Sequence, residues 1–367
     1  MDSQGPDLAA GTDPGNLPLD WVDSAVHPFM THPDDIRPFL RPQWKSRAIL
    51  PPDRWECPVP GGEYLIGGGG ASDLEMSAED RLRSEILRDG CSAAILVPFG
   101  RGLLPDLDLA AAVCAATNDW LAEKWLNGTG LYGSIRVDPR DPGQAISEIE
   151  RWDGDDRMVQ VVVALESHHP YGQRQFEPVW EACAAKKLPL AVMADGGGGI
   201  ELQPTAAGYC RYFIEYAVLS PLSSYHHLLS FIVEGVFERI PGLRVVFVDG
   251  GSDVVWPIAW RTDKDWRGIR FETPWVKRLP TDYLIRQCRF LVSPLEGPLE
   301  LGWIDDWAEI GNQGTLCLYG SRYPRWNYYS ASEAIPRLPA RHRTQIMHDN
   351  AADLYFSAVG GAVSRAP

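Results

Sequence analysis

The chain has 367 residues, of which 45% are hydrophobic, and carries a formal net charge of −15 at pH 7 with a pI near 5.0. This length and hydrophobicity suffice for one large barrel or for two smaller domains. Because nucleic acids and anionic membrane surfaces repel a net anion, the charge argues against both as partners. No apolar run is long enough for a membrane span, and the N-terminus lacks the pattern of a signal peptide.

The cysteines and the N-terminal composition bear on location and domain organisation. Seven cysteines lie singly along the chain, without a C-x-x-C pair: Cys57, Cys91, Cys114, Cys183, Cys210, Cys288 and Cys317. This pattern is typical of reduced thiols in a cytoplasmic protein. Residues 1–18 are rich in Gly, Pro and Asp, so we predict a disordered tail there. We expect residues 19–367 to form a single domain.

Apolar runs and helical spacing alternate along the chain. The apolar runs predict strands at Trp21–His27, Cys91–Pro98, Gly130–Val137, Met158–Leu165, Leu188–Met193, Leu243–Val248, Arg289–Ser293 and Thr315–Tyr319. Helical spacing predicts helices at Ser77–Asp89, Leu107–Leu126, Gly143–Arg151, Phe176–Lys187, Tyr225–Arg239, Asp282–Gln287, Leu299–Ile310 and Arg341–Phe356. Eight strands alternating with helices indicate an α/β protein with a TIM-like (β/α)8 barrel.

Proline and tryptophan are both abundant, with 30 and 14 residues respectively. We expect long Pro- and Trp-rich loops over the barrel, with Trp256, Trp260 and Trp266 in extended segments. The stretch Trp260–Asp263 is expected to support the loop after the sixth strand rather than to perform chemistry.

The end of the eighth predicted strand carries an unusual charge. The strand ends at Tyr319 and is followed by Gly320 and Ser321, after which come Arg322 and Arg325. In a (β/α)8 barrel, side chains just past the carboxyl end of a strand point into the active site. Two cations without an intervening carboxylate or imidazole are unusual for chemistry performed by a bound metal.

Several stretches carry a family resemblance that begins near Leu19 and covers nearly the whole chain. They are Asn118–Glu123, Phe176–Cys183, Glu234–Gly251, Trp260–Trp266 and His348–Tyr355. With these stretches the sequence resembles the amidohydrolase superfamily, in the branch of aminocarboxymuconate-semialdehyde decarboxylase. The resemblance implies a metal-dependent hydrolase fold, whose metal ligands lie at the ends of the barrel strands.

At the first and fifth strands, the resemblance implies ligands that this chain lacks. Members of the family usually end the first strand with a His or an acid, one spacer and a His. The matching residues here are Ala25, Val26 and His27, so only the second ligand remains. Members end the fifth strand with a His, and Met193 stands at that position.

At the eighth strand, the resemblance implies the sequence S-D-Y-P-H-W-D, whose first Asp is a ligand. This chain has S-R-Y-P-R-W-N, so Arg322 and Arg325 replace the Asp and the His, and Asn327 replaces the last Asp. After the sixth strand, where relatives carry His or Glu, the chain has Asp249. Of the four usual ligand positions, only His27 keeps its ligand.

These replacements oppose metal binding. A zinc or similar ion needs three or four N, O or S donors, and one imidazole cannot hold it. Arg322 adds a fixed positive charge, because guanidinium does not lose its proton. A divalent ion about 5 Å from a guanidinium is repelled by roughly 6–7 kcal/mol at an effective dielectric constant of about 20.

A relocated metal site is an alternative. Glu166 and His168 follow the fourth strand, Asp195 the fifth and Asp249 the sixth, so ligand-type side chains lie near the predicted barrel mouth. His169 adjoins His168, but adjacent residues rarely point at one centre. His226 and His227 fall in a predicted helix, where packing is the simpler interpretation. Asp249 remains a catalytic candidate, together with Arg322 and Arg325.

The two arginines allow two interpretations. A guanidinium suits carboxylates, so Arg322 and Arg325 could form an anion-binding module. They could equally be neutralised within the protein by Asp195, Asp249 or Glu166, and we favour this internal network.

The sequence therefore leads to competing functions. The first is a catalytically degenerate subunit without a cofactor, which assembles with a paralogous amidohydrolase-fold subunit that holds a dinuclear metal (Fe or Mn) or Zn. A known arrangement of this kind is the two-subunit monooxygenase that hydroxylates 2-aminoisobutyrate, and the chain resembles its expected supporting subunit. The alternative is an active metal-dependent hydrolase or decarboxylase of a small carboxylic acid. Anion binding is the third.

Overall fold

The computed structural model describes most of the barrel. Its described residues are 20–28, 35–47, 86–87, 90–100, 104–194, 208, 212–219, 221–248, 250–252, 254–292, 306, 309, 313–325, 328–335, 338 and 340–357. The predicted tail at 1–18, the Gly196–Gly199 run and nearly all of the predicted helices Ser77–Asp89 and Leu299–Ile310 lie outside these residues. Asp195, Asp249 and Asn327 lie outside them as well.

Eight parallel strands form one sheet in sequence order, from β1 to β8. They are β1 Trp21–Val26, β2 Cys91–Leu96, β3 Leu131–Arg136, β4 Met158–Ala164, β5 Leu190–Met193, β6 Val245–Phe247, β7 Cys288–Val292 and β8 Cys317–Tyr319. Each strand pairs in parallel with the next one along the chain. The predicted (β/α)8 barrel is confirmed, and each of the eight predicted strands overlaps an observed one.

Helices cover the outside of the barrel. The α-helices are α1 Leu107–Lys124, α2 Pro142–Arg151, α3 Glu177–Ala185, α4 Phe213–Leu219, α5 Pro221–Val233, α6 Val236–Arg239, α7 Val255–Ile269, α8 Pro280–Gln287, α9 Gln313–Leu316, α10 Ala331–Ala334 and α11 Asn350–Tyr355. Short 3-10 turns occupy Arg37–Phe39, Pro42–Trp44, Arg174–Phe176, Arg270–Glu272 and Ala340–His342, and a π-helix occupies Gln345–Asp349. Within the described residues, no helix combines the length and the apolar character needed to cross a membrane.

Two helix predictions and one prediction of an extended segment differ from the structure. The predicted helix Tyr225–Arg239 is two helices, because Gly235 adopts a left-handed φ of 75° between α5 and α6. The predicted helix Arg341–Phe356 is divided into a 3-10 turn, the π-helix and α11. The predicted Trp-rich extended segment after the sixth strand is wrong, since Trp256, Trp260 and Trp266 all lie on α7. Val255, Trp256 and Ala259 form the buried face of that helix, while charged residues occupy its exposed face.

Side chains alternate between two apolar layers. On β5, Leu190 and Val192 pack in the layer between strands and helices, whereas Ala191 and Met193 pack in the barrel interior. At the N-terminal end of the strands, Tyr355 of α11 and the adjacent Phe356 join this interior layer. The Tyr355 hydroxyl donates to Gln160 Oε1 at 3.3 Å, and the rings of Phe356 and Tyr132 are 4.8 Å apart. Tyr355 and Phe356 therefore fill the barrel interior at the N-terminal end of the strands.

The last strand closes onto the first through main-chain and carboxylate hydrogen bonds. Arg322 N donates to Ala25 O at 2.9 Å, and His27 N donates to Tyr323 O at 2.7 Å. Asp23 is fully buried in β1, and its Oδ1 accepts from Ser321 N at 2.9 Å and from Ala25 N at 3.2 Å. Burial raises the pKa of Asp23 to about 6, although the hydrogen bonds from Ser321 and Ala25 oppose this shift.

The raised pKa of Asp23 predicts a pH dependence of stability. The pKa of Asp23 is higher in the folded than in the unfolded protein. The protonated carboxyl group therefore stabilises the fold below about pH 4, and this contribution is lost as the pH rises through about 6. The asparagine of Asp23→Asn keeps an acceptor oxygen but cannot ionise. We expect the unfolding free energy of the variant, relative to the wild type, to rise by about 3 kcal/mol between about pH 4 and pH 7 in urea titrations.

Asp155→Asn is the matched control. The hydrogen bond from Arg157 lowers the pKa of Asp155, so its contribution has the opposite sign and is lost as pH falls. An unchanged stability difference between Asp23→Asn and the wild type across this pH range would contradict the account of Asp23.

Candidate active site

Several polar groups meet at the carboxyl end of the barrel, where active sites of this architecture lie. The segments that form this barrel mouth are His27 after β1, Val97–Gly100 after β2, Arg136 at the end of β3, Met193 at the end of β5 and Ser321–Arg325 after β8. Strands β8, β1, β2 and β3 are consecutive neighbours around the barrel, so most of these groups occupy one side of the mouth.

His27 is fully buried and has a fixed orientation. Its Nδ1 lies 3.0 Å from Val97 O, and because a carbonyl oxygen only accepts, Nδ1 carries the proton. Its Nε2 is buried and has no hydrogen-bond partner within the described part of the chain. Burial lowers the pKa of His27 well below its usual value, and the charges of Arg325 and Arg322 add to this effect. The ring is therefore neutral, and Nε2 presents a lone pair.

Arg325 is buried next to His27. Its guanidinium carbon lies 5.6 Å from the ring centroid of Phe99, within the range of a cation–π contact. The same Phe99 ring lies 4.9 Å from the imidazole ring of His27, at an interplanar angle of 37°. Phe99 thus contacts both groups.

Arg322 belongs to the same turn as Arg325. Its backbone has a left-handed φ of 61°, which is uncommon for a residue with a side chain. Hydrogen bonds hold the turn on both sides: Arg322 N donates to Ala25 O, and Arg325 N donates to Arg322 O, both at 2.9 Å. The charge of Arg322 lies close enough to His27 to lower its pKa.

Arg136 is a third arginine at the mouth, which the sequence analysis missed, and it is buried like Arg325. Its Nη1 donates to Pro98 O at 3.4 Å, and Asn118 holds its backbone through hydrogen bonds of 2.7 and 2.9 Å. A Cβ added to Gly100 would lie 2.6 Å from the Nε and Nη2 atoms of Arg136, so only glycine leaves room for the guanidinium. The sequence did contain one signal for this role, namely an arginine near the end of an otherwise apolar predicted strand.

At two positions where the family resemblance implies a metal ligand, the side chain of this protein has no suitable donor atom. Ala25 and Met193 are fully buried and belong to the apolar layer of the barrel interior. A methyl group offers no lone pair, and a thioether is a weak and soft ligand. The last residues that β1 and β5 contribute to the barrel interior are therefore apolar.

The residues considered for a relocated metal site are dispersed where the structure describes them. His168 and His169 are exposed, and Glu166 is half-buried. His227 is buried in α5, where Nδ1 accepts from Tyr171 N at 3.1 Å and Nε2 donates to Leu165 O at 2.8 Å. Burial lowers the pKa of His227 to about 4, so it is a neutral packing residue. Among the described residues, no three His, Cys, Asp or Glu side chains are grouped to hold a metal ion.

A small cavity of about 20 Å³ lies beside Arg136, and its lining includes Asp138, Arg140, Glu166 and Tyr171. Asp138 pairs with Arg140, whose Nε lies 3.0 Å from Asp138 Oδ1. The cavity has room for about one water molecule. It is too small to be a substrate pocket.

Taken together, three guanidinium groups and one neutral imidazole meet at one side of the mouth. Guanidinium groups stay charged at all physiological pH values, so this side carries a fixed positive charge. All three arginines also make further interactions within the protein.

Solved structures with the same fold extend over almost the whole chain. An amidohydrolase from Mycobacterium avium subsp. paratuberculosis K-10 has 19% identity and a TM-score of 0.67, covering 94% of this chain and 100% of that one. A 2,6-dihydroxybenzoate decarboxylase from Rhizobium has 16% identity and a TM-score of 0.62, with coverage of 93% and 99%. A dihydroxybenzoic acid decarboxylase from Polaromonas sp. JS666, with bound manganese and 2-nitroresorcinol, has 18% identity, a TM-score of 0.62 and coverage of 94% and 98%.

At these identities the solved structures show the fold alone. No curated protein matches the sequence. The family assignment comes from the sequence pattern of the amidohydrolase family, which matches residues 103–356 and thus well over half of the chain. This match agrees with the eight-stranded parallel barrel described above. The chain is a member of the amidohydrolase family.

Proposed function

We propose that this chain is a non-catalytic amidohydrolase-fold subunit, which assembles with a related subunit that contains the catalytic metal. One observation carries the proposal: at the barrel mouth, buried Ala25 and Met193 and the charged Arg322 occupy positions where the family resemblance implies metal ligands. A site with a single imidazole lacks the donors needed to hold a metal ion that would activate a water molecule.

The remaining residues do not fit a metal ion. His27 keeps the arrangement of a metal ligand, with Nδ1 bound to a carbonyl oxygen and Nε2 open. However, the charges of Arg325 and Arg322 act on the same ring. Among the described residues, no three His, Cys, Asp or Glu side chains are grouped so that they could hold a metal ion. A structural zinc ion requires four donors, and a catalytic one requires three plus water. We therefore assign no catalytic step to a metal in this chain.

Exposed apolar residues support assembly with a partner. On α4, Ile214 and Val218 are 62% and 64% exposed, and they lie one helical turn apart on the same face. The adjoining Leu219 and Leu222 are also exposed. Monomeric soluble proteins rarely leave large apolar patches uncovered, and uncovered patches mark interaction sites. The face formed by Ile214, Val218, Leu219 and Leu222 is our candidate subunit interface.

The partner determines the reaction in this proposal. A relative with its ligands in place would hold a dinuclear iron or manganese centre, or zinc, in its own barrel. The reaction of such a pair would be hydroxylation of 2-aminoisobutyrate, hydrolysis or decarboxylation. No side chain of this chain is specific to oxygen chemistry, so the partner's identity decides among them.

A second candidate is an active metal-dependent hydrolase or decarboxylase of a small carboxylic acid. The open Nε2 of His27 favours it, because a metal ion would bind a lone pair held in this orientation. This candidate requires further ligands from Asp195 and Asp249, which lie outside the described residues.

Metal analysis discriminates between the two candidates. The isolated chain, purified without chelator, should contain less than about 0.1 metal ion per chain by plasma mass spectrometry, because one imidazole cannot retain an ion. One ion per chain, lost in both His27→Ala and Asp249→Ala, would establish the second candidate instead.

A variant that carries the family's metal ligands tests whether these positions form the metal site. The combined variant Ala25→His, Met193→His and Arg322→Asp should bind about one zinc ion per chain, since it supplies four donors with His27. Aspartate also tolerates the left-handed backbone at position 322 better than arginine. Arg322→Gln, which removes the charge without adding a carboxylate, is the control. Folding is checked by circular dichroism, and a folded variant without zinc would count against these ligand positions.

The interface is tested by charge substitution. In co-expression with an amidohydrolase relative whose metal ligands are all present, Ile214→Asp and Val218→Asp should each abolish co-purification, because they bury a charge in an apolar contact. Phe271→Asp changes an exposed aromatic residue outside this face and should leave co-purification intact. Co-purification of the two α4 variants at the wild-type yield would place the interface elsewhere.

A further inference from the structure

We propose that a groove on the outside of the barrel binds a second copy of this chain, which inserts the aromatic ring of its Phe271. The groove lies on α1 and α2, whereas Phe271 follows α7. This contact involves neither the barrel mouth nor the α4 face. It therefore goes beyond the proposed function and does not depend on it.

The groove has a volume of about 500 Å³. Its lining includes Ala111, Ala112 and Ala115 of α1, together with Phe39 and Trp44 of the two 3-10 turns that pack on this helix. Residues of α2 complete the lining. Binding pockets commonly have volumes of about 300–1,000 Å³ and are lined mainly by apolar and aromatic side chains. The groove therefore has room for a large aromatic side chain.

Phe271 belongs to the 3-10 turn Arg270–Glu272, which directly follows α7. It is 74% exposed, which is the largest exposure of any large hydrophobic residue in the described part of the chain. Aromatic side chains contribute much of the buried area in protein interfaces, where they insert into pockets of the partner. Phe271 is therefore suited to anchor a protein contact.

Charged side chains surround this aromatic ring. Residues 260–278 contain six Lys or Arg and only three Asp or Glu, although the whole chain has a net charge of −15. Directly beside Phe271, the side chains of Arg270 and Glu272 are exposed and make no hydrogen bond or ion pair within the described residues. The turn thus presents one unpaired charge of each sign next to its anchor.

The groove also presents one unpaired charge of each sign. Asp108 of α1 accepts a neutral hydrogen bond of 3.0 Å but meets no cation among the described residues, and the side chain of Arg41 has no partner among them. Arg151, by contrast, lies 2.6 and 2.7 Å from two carboxylates of the groove. Arg270 of a second copy can therefore pair with Asp108. Its Glu272 can pair with Arg41, so the charges of the two surfaces are complementary.

The two surfaces lie on opposite sides of one molecule. Along the chain, α1 and α2 flank β3, whereas α7 precedes β7, and these strands are four positions apart in the eight-stranded barrel. Phe271 therefore cannot reach the groove of its own chain. A contact between two different surfaces is heterologous, so every bound copy still offers one unoccupied groove or one exposed Phe271. Association through this contact grows beyond a dimer, into a ring or an open chain.

Sedimentation velocity of the full chain tests this contact. All samples carry Ile214→Asp, which removes the α4 face as a source of association. The average mass should rise beyond that of a dimer as the protein concentration increases. It should fall in about 1 M salt, where screening weakens the two ion pairs. Phe271→Asp and Ala112→Trp should each weaken association at least about tenfold, because one places a charge in the groove and the other fills it.

Mixing these two variants tests whether the contact is heterologous. Phe271→Asp keeps an intact groove, and Ala112→Trp keeps an intact Phe271. The equimolar mixture should therefore form a 1:1 dimer and nothing larger. Asp108→Lys alters the groove without filling it and takes the place of Ala112→Trp if circular dichroism shows that the latter is unfolded. Val254→Asp is the control, since it changes a 43% exposed residue at the other end of α7 and should leave association unchanged.

Several results would overturn the inference. They are a monomer at every concentration, a dimer that does not grow, undiminished association of Phe271→Asp, and a mixture of the two variants that stays monomeric. None of these results affects the proposed function, because metal content and co-purification through the α4 face test that function separately.

Discussion

Fixed positive charge at the carboxyl end of the barrel is the constraint on which the rest of this account depends. The charges of Arg325 and Arg322 reach the buried ring of His27, and both residues belong to one turn after β8. Since a guanidinium group keeps its proton at every physiological pH, this field cannot be switched off. A divalent cation placed beside this ring would be repelled by both charges.

The scaffold below the mouth explains how this charge is held in place. Asp23 and the main-chain bonds between the ends of β1 and β8 fix the turn that carries Arg322. Val97 fixes the imidazole, and Gly100 leaves the space that Arg136 occupies. Hydrogen bonds and close packing thus hold the turn, the imidazole and the guanidinium group of Arg136 in place.

Sequence patterns predicted the strands well, because buried parallel strands are short apolar runs whose signal is local. They failed at α7, where tryptophans were interpreted as loop anchors although Val255, Trp256 and Ala259 form one helical face. The replacement of metal ligands by Ala25 and Met193 is an expectation that comes from the resemblance alone. The role of Arg136 could not, because it depends on the close approach of Gly100 from a neighbouring strand end. The open Nε2 of His27 likewise depends on a contact with Val97, 70 residues away.

The most direct measurement is anomalous X-ray diffraction from crystals of this chain soaked in manganese or zinc. The account predicts no anomalous peak within about 3 Å of His27 Nε2, the distance within which a ligand bond would fall. A peak there, with Asp249 or another side chain of the same chain completing the coordination, would contradict the view that this barrel has exchanged its metal for fixed positive charge.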